Sequence, residues 1–244
     1  MKKVPVLERP RAVVTCGPGI APIDAVRCIT NHSTGELGVL LADRLARAGW
    51  EVTCVKSVGA LFRDPCEDGV RVRRFATNAE VCEVLQAEPE RDRVRAVFHV
   101  AALCDYEVSA VETSEGNALP GGQKISSEHA EIRLTLRRAP KVLPKLGMIF
   151  PNAQVVGWKL EWSDDRVTAL ERGMRQLEQN AGALCVVNGP AYGSGFGVLH
   201  PGGNSVHVDT KAALCDWLTE WAARNVGTLQ PTVAVAVNPR RGRA

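Results

Sequence analysis

The first residues with the chemistry of a binding site lie near the N-terminus. Gly17 follows the β-branched run RAVVTC, and a segment with apolar residues at helical spacing begins with Ser33, Thr34, Gly35 and Gly38. Glycine lets a backbone approach a phosphate closely, and the free N–H groups of a helix N-terminus attract anions. This group therefore indicates phosphate binding. The structural alternative is that Ser33 or Thr34 caps the helix and that Gly38 allows close packing against a sheet.

A second group follows the most apolar stretch of the chain, AVFHVAAL. Ala101 and Ala102 have small side chains that leave room for a ligand, and Asp105 adds a carboxylate. The alternative is tight packing, with Asp105 as a turn residue. Lys124 stands alone in the Gly-rich stretch PGGQKISS, where it would either bring positive charge to a site or simply be solvated.

Two further predicted strands carry Trp158 and Asn188 near their ends. The Trp158 indole would stack on a base, or it would pack in the core. The chain contains neither the G-x-G-x-x-G dinucleotide fingerprint nor the G-x-x-x-x-G-K-[ST] phosphate loop. The candidate residues therefore predict a ligand site without identifying the ligand.

These residues need a scaffold that brings strand ends together. Strands are predicted at Arg11–Cys16, Glu51–Ser57, Val70–Phe75, 96–103, 153–162 and Leu184–Asn188. Helices are predicted at 34–48, Asn78–Gln86 with Asn78 as its cap, 164–179 and 210–224. Repeated βα units predict an α/β fold with a doubly wound, Rossmann-like parallel sheet. Ligands of such sheets bind at the carboxyl ends of the strands, near the point where the strand order reverses.

The stretch 107–136 interrupts this alternation. Residues 131–136, EIRLTL, alternate strictly between polar and apolar, which predicts a small antiparallel excursion. We interpret it as a dimerisation and lid segment inserted in a single domain of residues 1–244. Pairing with a second subunit would bury the face of Ile132, Leu134 and Leu136, since a lone ribbon is marginal in water. The alternative is a monomer whose ribbon folds back on its own sheet.

The composition is that of a globular protein. Of the 244 residues, 45% are hydrophobic, and the formal net charge of +3 is too small to indicate a nucleic-acid partner. No apolar run approaches the ~20 residues of a membrane helix, so a cytoplasmic location is expected and no membrane partner. The 8 cysteines contain no C-x-x-C pair, which argues against a zinc or redox dithiol site. Buried thiols are expected at Cys16, Cys54, Cys104 and Cys185.

The order and separation of these groups resemble one family, the phosphopantothenoylcysteine synthetases, which form the second activity of the bacterial coenzyme A bifunctional protein. The stretch PIDAVRCITNHSTG at 22–35 is similar to the family's P-[IL]-D-x-V-R-x-I-[ST]-N-x-S-[ST]-G. AALCDY at 101–106 resembles A-A-V-[AS]-D-[YF], and GWKLE at 157–161 resembles G-F-x-x-E. Lys124 begins a K-I-K-K-like motif whose later lysines are replaced by serines. The resemblance covers residues 11 to about 222.

The resemblance implies a ligase that joins 4'-phosphopantothenate to cysteine through an acyl-nucleotide intermediate. By this resemblance, Asn31 and Lys124 are catalytic, and Arg27 reaches the phosphate of a ligand in the neighbouring subunit. The residues implied for phosphopantothenate are Asn31, Ala101, Ala102 and Asp105. The residues implied for the nucleotide are Gly17, Ser33, Gly35, Gly38, Trp158 and Asn188.

The expected co-substrate is CTP with Mg²⁺, because the loop around Asn31 has the bacterial form, and ATP is the alternative. A homodimer is expected, with no flavin and no metal site in this chain. Glu36 stands where bacterial members usually have lysine. Two other classes stay open: a non-catalytic nucleotide-binding relative and a nicotinamide oxidoreductase. The second is disfavoured because the phosphate loop does not match and Tyr106 is not part of a Y-x-x-x-K pair.

Overall fold

The computed structural model describes residues 9–225, and the ends of the predicted 1–244 unit lie outside them. The strands are β1 (Arg11–Cys16), β2 (Ile20–Pro22), β3 (Cys28–Thr30), β4 (Glu51–Ser57), β5 (Val70–Phe75), β6 (Val94–His99), β7 (Tyr106–Thr113), β8 (Ile132–Arg138), β9 (Gln154–Leu160), β10 (Leu184–Asn188), β11 (Phe196–Leu199) and β12 (Ser205–Val208). The α-helices are α1 (Glu36–Arg47), α2 (Asn78–Gln86), α3 (Leu146–Ile149), α4 (Arg166–Gln179) and α5 (Lys211–Asn225).

Eight strands form the main sheet, in the order β12, β11, β10, β9, β6, β1, β4, β5. The six from β10 to β5 are parallel, whereas β11 and β12 add an antiparallel edge. The chain runs outward from β1 to β5, then returns to the other side of β1 with β6 and continues to β10. This order confirms the predicted doubly wound, Rossmann-like sheet, and the switch point lies between β1 and β6.

Helices cover both faces of this sheet. Helices α1 and α5 pack on one face through side chains such as Leu41 and Leu218. Helices α2, α3 and α4 cover the other face, where Leu146 is fully buried. Since side chains alternate along a strand, Thr15 and His99 point towards the layer of α2, α3 and α4. None of the helices within residues 9–225 is long and apolar enough to cross a membrane.

The structure differs from the sequence prediction in four places. The strand predicted at 96–103 ends at His99, because the following residues turn to bond with the loop after β1. Asn78 is not the cap of α2, since Thr77 is extended there and its hydroxyl accepts the Glu80 N–H at 3.2 Å. The long loop before α1 contains the β2–β3 hairpin, and the short edge strands β11 and β12 carry too few residues for a recognisable period.

The predicted excursion is a separate two-stranded antiparallel sheet of β7 and β8. The predicted alternating strand corresponds to β8, which continues to Arg138, and its partner β7 was not predicted. Within residues 9–225 this ribbon shares no hydrogen-bonded ladder with the main sheet. Ile132 and Leu134 are half-buried, and Leu136 is 44% exposed. The ribbon therefore presents apolar surface to its surroundings.

Gly38 lets α1 pack directly on β1. A Cβ placed on Gly38 would lie 2.3 Å from the Cβ of Cys16, well inside contact distance. The packing interpretation of Gly38 is thus confirmed, and its role in nucleotide binding stays a prediction.

Gly38→Ala is expected to lower the free energy of unfolding by about 1–3 kcal/mol, because the extra methyl overpacks a closed helix-to-sheet contact. Urea denaturation measures this change. Gly147→Ala in α3 is the matched control, since a Cβ there meets nothing within 4 Å. A Gly38→Ala protein as stable as the Gly147→Ala protein would contradict the packing role.

Candidate active site at the switch point

The loops after β1 and β6 meet at the switch point. The Ala102 N–H donates to the Gly17 carbonyl at 3.0 Å, and the Gly19 N–H donates to the Ala102 carbonyl at 2.9 Å. The two groups of residues singled out first in the sequence are thus neighbouring backbone at the carboxyl ends of adjacent strands. This is the edge at which ligands of doubly wound sheets bind.

Asn31 joins these loops to the β2–β3 hairpin. Its Nδ2 donates to the carbonyl oxygens of Ala102 at 3.0 Å and Leu103 at 2.9 Å. The neighbouring Thr30 hydroxyl donates to the Gly19 carbonyl at 2.8 Å, which fixes the end of the hairpin. Asn31 is exposed, so it reaches the switch-point loops and remains accessible to a ligand.

Gly17 and Gly35 bring the start of α1 against the loop after β4. Both have positive φ, +88° and +79°, and a Cβ on either would lie within 2.9 Å of the Ala60 Cβ. Lys56, buried at the end of β4, holds this loop by donating to the Phe62 carbonyl at 2.6 Å. The loops after β1 and β4 and the start of α1 thus approach each other too closely for a side chain at Gly17 or Gly35. Contact of these two glycines with a nucleotide stays a prediction.

The start of α1 has few side-chain partners. Its N-cap is Gly35, which provides no side-chain cap, and the Thr34 hydroxyl accepts the Glu36 N–H at 3.3 Å. Ser33, half-buried, is therefore not the cap. Backbone N–H groups in the first turn are thus left for an anion. Glu36 forms an ion pair with Lys211 of α5, which offsets its negative charge at this helix end.

Trp158 and Asn188 lie on β9 and β10, beyond β6. Trp158 is half-buried and packs against the core below α1 and α5, which confirms the packing interpretation. Its Nε1 is buried without a hydrogen-bond partner among the residues described, and such a donor is costly unless water or a ligand satisfies it. The Asn188 carbonyl accepts the Glu161 N–H at 2.9 Å. The predicted contacts of Trp158 and Asn188 with a nucleotide stay predictions.

A buried carboxylate fastens the predicted lid to the β2–β3 hairpin. Asp24 accepts the Ile125 N–H at 3.1 Å, while Arg27 donates to Asp24 at 2.9 Å and to the Ile125 carbonyl at 2.9 Å. The Arg27 guanidinium holds the pKa of Asp24 well below its usual range, although burial opposes the shift. Lys124, next to buried Ile125, is exposed. Arg27 thus bonds within its own chain, and its reach to a neighbouring subunit's ligand stays a prediction.

Asp105 is at the surface, with 70% of its side chain exposed, and it forms an ion pair with Lys141. The loop before it is held by Asn78, whose role at this position no local pattern predicts. Asn78 is buried, and its amide donates to the Cys104 carbonyl at 2.8 Å and accepts the Cys104 N–H at 3.2 Å. An Asn at the start of a helical pattern gives the same signal as a helix cap, so the sequence alone predicts the wrong role for Asn78.

His99 is the second residue that sequence analysis missed, although a histidine in an otherwise apolar strand is a visible signal. It ends β6, is 8% exposed, and its Nδ1 lies 2.8 Å from the Thr15 hydroxyl. Burial lowers the pKa of His99 from 6.5 to about 4. The imidazole is therefore neutral near pH 7.

The fold is expected to lose stability as the pH falls from 6.5 to about 4, because the unfolded chain protonates His99 there and the folded chain does not. The expected contribution is about 3 kcal/mol. Urea denaturation across this window, compared with His99→Asn, measures it. The variant lacks this titration and should lose less stability, so equal losses in the two proteins would contradict the buried, neutral state of His99.

Thiols and carboxylates do not assemble into a metal site in the part of the chain that the structure describes. No three His, Cys, Asp or Glu side chains converge there as ligands. The cysteines expected to be buried, at positions 16, 54, 104 and 185, are buried free thiols.

The fold and the site together define a Rossmann-like α/β protein with a ligand site assembled from loops at the switch point. The chain belongs to the DNA/pantothenate metabolism flavoprotein C-terminal domain family, which it matches over residues 7–217. This confirms the resemblance found in the motifs at 22–35 and 101–106.

Two curated relatives and one solved structure are similar to this chain. A cysteine/cysteine sulfinic acid decarboxylase from an unknown prokaryotic organism is 31% identical over 200 residues, which are 80% of this chain and 51% of the relative. The coenzyme A biosynthesis bifunctional protein CoaBC of Thermococcus kodakarensis is 27% identical over 182 residues, 75% of this chain and 42% of the relative. The chain thus spans about half the length of these relatives. The fold is similar to that of the DNA/pantothenate metabolism flavoprotein from Streptococcus pneumoniae, with a TM-score of 0.75, 22% identity, and coverage of 86% of this chain and 97% of that one.

Proposed function

We propose that this chain is a ligase that joins 4'-phosphopantothenate to cysteine in coenzyme A biosynthesis. The observation that carries the proposal is the contact of Asn31 with the carbonyls of Ala102 and Leu103, at 3.0 and 2.9 Å. This contact joins the two stretches that resemble the synthetase family, 22–35 and 101–106, into one site at the switch point. The name of the Thermococcus relative, a coenzyme A biosynthesis protein, supports the same pathway.

The proposed reaction has two steps. A carboxylate oxygen of 4'-phosphopantothenate attacks the α-phosphorus of a nucleoside triphosphate, and the bond to pyrophosphate breaks as the new O–P bond forms. The cysteine amine then attacks the acyl carbon and loses a proton, and the nucleoside monophosphate leaves. Both steps require the reacting groups to be held together and the charge on the transferring group to be offset.

The acid is proposed to bind along the loop after β6. Ala101 and Ala102 are partly exposed and present small side chains and backbone there, while Asn31 holds the loop. Asp105 is exposed beside this loop and would accept hydrogen bonds from the ligand. Arg27 uses Nε and Nη2 within its own chain, so its Nη1 would contact the phosphate of a ligand bound in a second subunit.

The nucleotide is proposed to bind beside the start of α1, where first-turn N–H groups would contact its phosphates. Mg²⁺ enters as part of the nucleotide co-substrate, and Lys124 adds positive charge when the lid closes. CTP is favoured over ATP because the loop around Asn31 has the bacterial form. We assign the remaining contacts to Gly17, Ser33, Gly35, Gly38, Trp158 and Asn188. A cytoplasmic location suits these substrates.

The proposal is tested by mixing the chain with 4'-phosphopantothenate, cysteine, Mg²⁺ and either CTP or ATP. We expect pyrophosphate release and a product with the mass of the cysteine conjugate. Without cysteine, pyrophosphate should still appear, in an amount equal to the enzyme, since the first step does not need the amine. No pyrophosphate with either nucleotide would overturn the proposal and favour a non-catalytic nucleotide-binding relative. Release of CO₂ from cysteine sulfinic acid would favour the activity named for the 31% identical relative.

We also propose that the chain is a two-fold homodimer paired through the β7–β8 ribbon. Large apolar side chains are exposed on the ribbon and the hairpin loop beside it: Tyr106 at 51%, Leu136 at 44% and Val26 at 64%. Burying such surface against a second copy is favourable, and it covers the strand edges.

Light scattering at micromolar protein is expected to give twice the mass of one chain. Leu136→Lys should shift this mass towards the monomer, because a charge would be buried at the interface. Met148→Lys, on α3 and 79% exposed, is the control and should remain dimeric. A wild-type mass equal to one chain would rule out the dimer and the shared-site role of Arg27.

A further inference from the structure

His99 lies in the row of residues that crosses the sheet at the switch point. Its register partners are Thr15 on β1 and Gly157 on β9. A Cβ on Gly157 would lie 3.1 Å from the Gln176 Nε2 and 3.2 Å from a Leu143 methyl carbon, so the position beside His99 is tightly packed. His99 is thus buried in a tightly packed row, directly before the loop to which the acid is proposed to bind.

The hydrogen bonds at Thr15 fix the tautomer of this histidine. The Thr15 Oγ1 accepts the Ala101 N–H at 3.3 Å and lies 2.8 Å from the His99 Nδ1. A hydroxyl can accept two hydrogen bonds but has one proton to donate, and within residues 9–225 the one acceptor beside the fully buried Thr15 hydroxyl is Nδ1. A buried O–H needs an acceptor, so Thr15 donates to Nδ1. Nδ1 is therefore unprotonated, and the proton of the neutral ring is on Nε2. A protonated ring would remove the acceptor that orients the Thr15 hydroxyl.

The same chain of bonds continues to the catalytic candidate. Beyond Ala101, the Ala102 N–H donates to the Gly17 carbonyl at 3.0 Å, and the Ala102 carbonyl accepts from Gly19 at 2.9 Å and from Asn31 at 3.0 Å. His99 thus connects through one hydroxyl to the backbone that Asn31 contacts. No other side chain in residues 9–225 bonds to the Thr15 hydroxyl.

We infer that His99 is a positioning residue that, through Thr15, sets the Ala101–Ala102 backbone against which 4'-phosphopantothenate binds. The inference rests on the proposed function and adds a residue to it. In this role His99 transfers no proton. It supplies the acceptor at Nδ1 that orients the Thr15 hydroxyl. A side chain that supplies an acceptor at the same place should therefore replace it.

The test compares variants by steady-state kinetics and by calorimetric binding of 4'-phosphopantothenate without nucleotide. His99→Ala should raise both KM and Kd for 4'-phosphopantothenate about tenfold, because Thr15 loses its orienting acceptor, and should change the KM for CTP less than about twofold. His99→Asn places an amide oxygen near the position of Nδ1 and should restore both constants to within about threefold of wild type.

Two further variants separate positioning from general loss of stability. Val97→Ala removes a fully buried side chain from the same strand and should destabilise the fold without changing the KM for 4'-phosphopantothenate. Thr15→Val should raise the KM for 4'-phosphopantothenate as His99→Ala does. The double variant should raise it no further, because each substitution removes the same Thr15–His99 hydrogen bond. This pair keeps the test usable if His99→Ala does not fold.

The outcomes distinguish the two proposals. Wild-type protein that forms no product and does not bind 4'-phosphopantothenate would overturn the proposed function and this inference with it. An active wild-type protein whose His99→Ala and Thr15→Val variants keep their KM would overturn the inference alone. A rise in KM for Val97→Ala as large as that for His99→Ala would also overturn it, because the effect would then follow from stability.

Discussion

Asn31→Asp is expected to reduce formation of the cysteine conjugate by at least about 100-fold while leaving the affinity for CTP nearly unchanged. In the native protein the Asn31 amide donates to two carbonyls, at 3.0 and 2.9 Å. A carboxylate has no proton to donate and would place negative charge beside both oxygens. The Ala102–Leu103 backbone would then move away from the geometry that the acyl intermediate needs. Product analysis and calorimetric titration with CTP measure the two effects.

A matched control distinguishes this role from a general effect of the substitution. Asn152 also donates its Nδ2 to a backbone carbonyl, that of Asp92 at 2.8 Å, at the opposite edge of the sheet. Asn152→Asp should therefore cause a similar local loss of stability without loss of turnover. If Asn31→Asp retained full turnover, or if both variants lost activity equally, Asn31 would have no role at the site.

The meeting of Gly17 with Ala102 could be predicted because it follows from topology. Both residues come directly after apolar strands, and the carboxyl ends of parallel strands lie at one edge of a sheet. The distance between them along the chain does not matter once both strands are recognised. The same argument placed Asn188 at this edge. Gly38 lies in α1, and its place near a helix start made it a candidate, although that pattern does not separate a packing role from a phosphate contact.

Contacts between polar side chains distant in sequence could not be predicted. His99 and Thr15 are 84 residues apart, and each looks like one polar residue within an apolar strand. Their pairing depends on the register of β1 with β6, which hydrophobic patterns do not specify for strands buried on both faces. Asn78 was assigned to the wrong role because its partner, Cys104, lies 26 residues further along the chain. Local sequence patterns therefore predict where the strands end. The hydrogen bonds between side chains on different strands depend on the strand register, which these patterns do not predict.

Lys124 is expected to act mainly on the rate of the first step. It is exposed, it follows the open turn at Gly122, where φ is +81°, and it is followed by Ile125, which Asp24 holds to the hairpin at 3.1 Å. A Cβ on Gly121 or Gly122 would meet nothing within 4 Å, so the start of the segment has open space around it, whereas its end is fixed to the hairpin at Ile125. We therefore predict that the segment closes as a lid and that Lys124 contacts the phosphates only in the closed complex.

Lys124→Gln should then lower the rate of pyrophosphate release about 100-fold and the affinity for CTP less than about threefold, since the charge acts on the transferring group rather than on initial binding. Lys124→Arg keeps a cation at the same point and should recover most of this rate. Arg224→Gln, which removes a charge from the far end of α5, controls for the change in net charge and should leave the rate unchanged. Equal losses of rate and affinity in Lys124→Gln would instead show that the lysine binds the nucleotide in the ground state, and that closure of the segment contributes nothing to the chemical step.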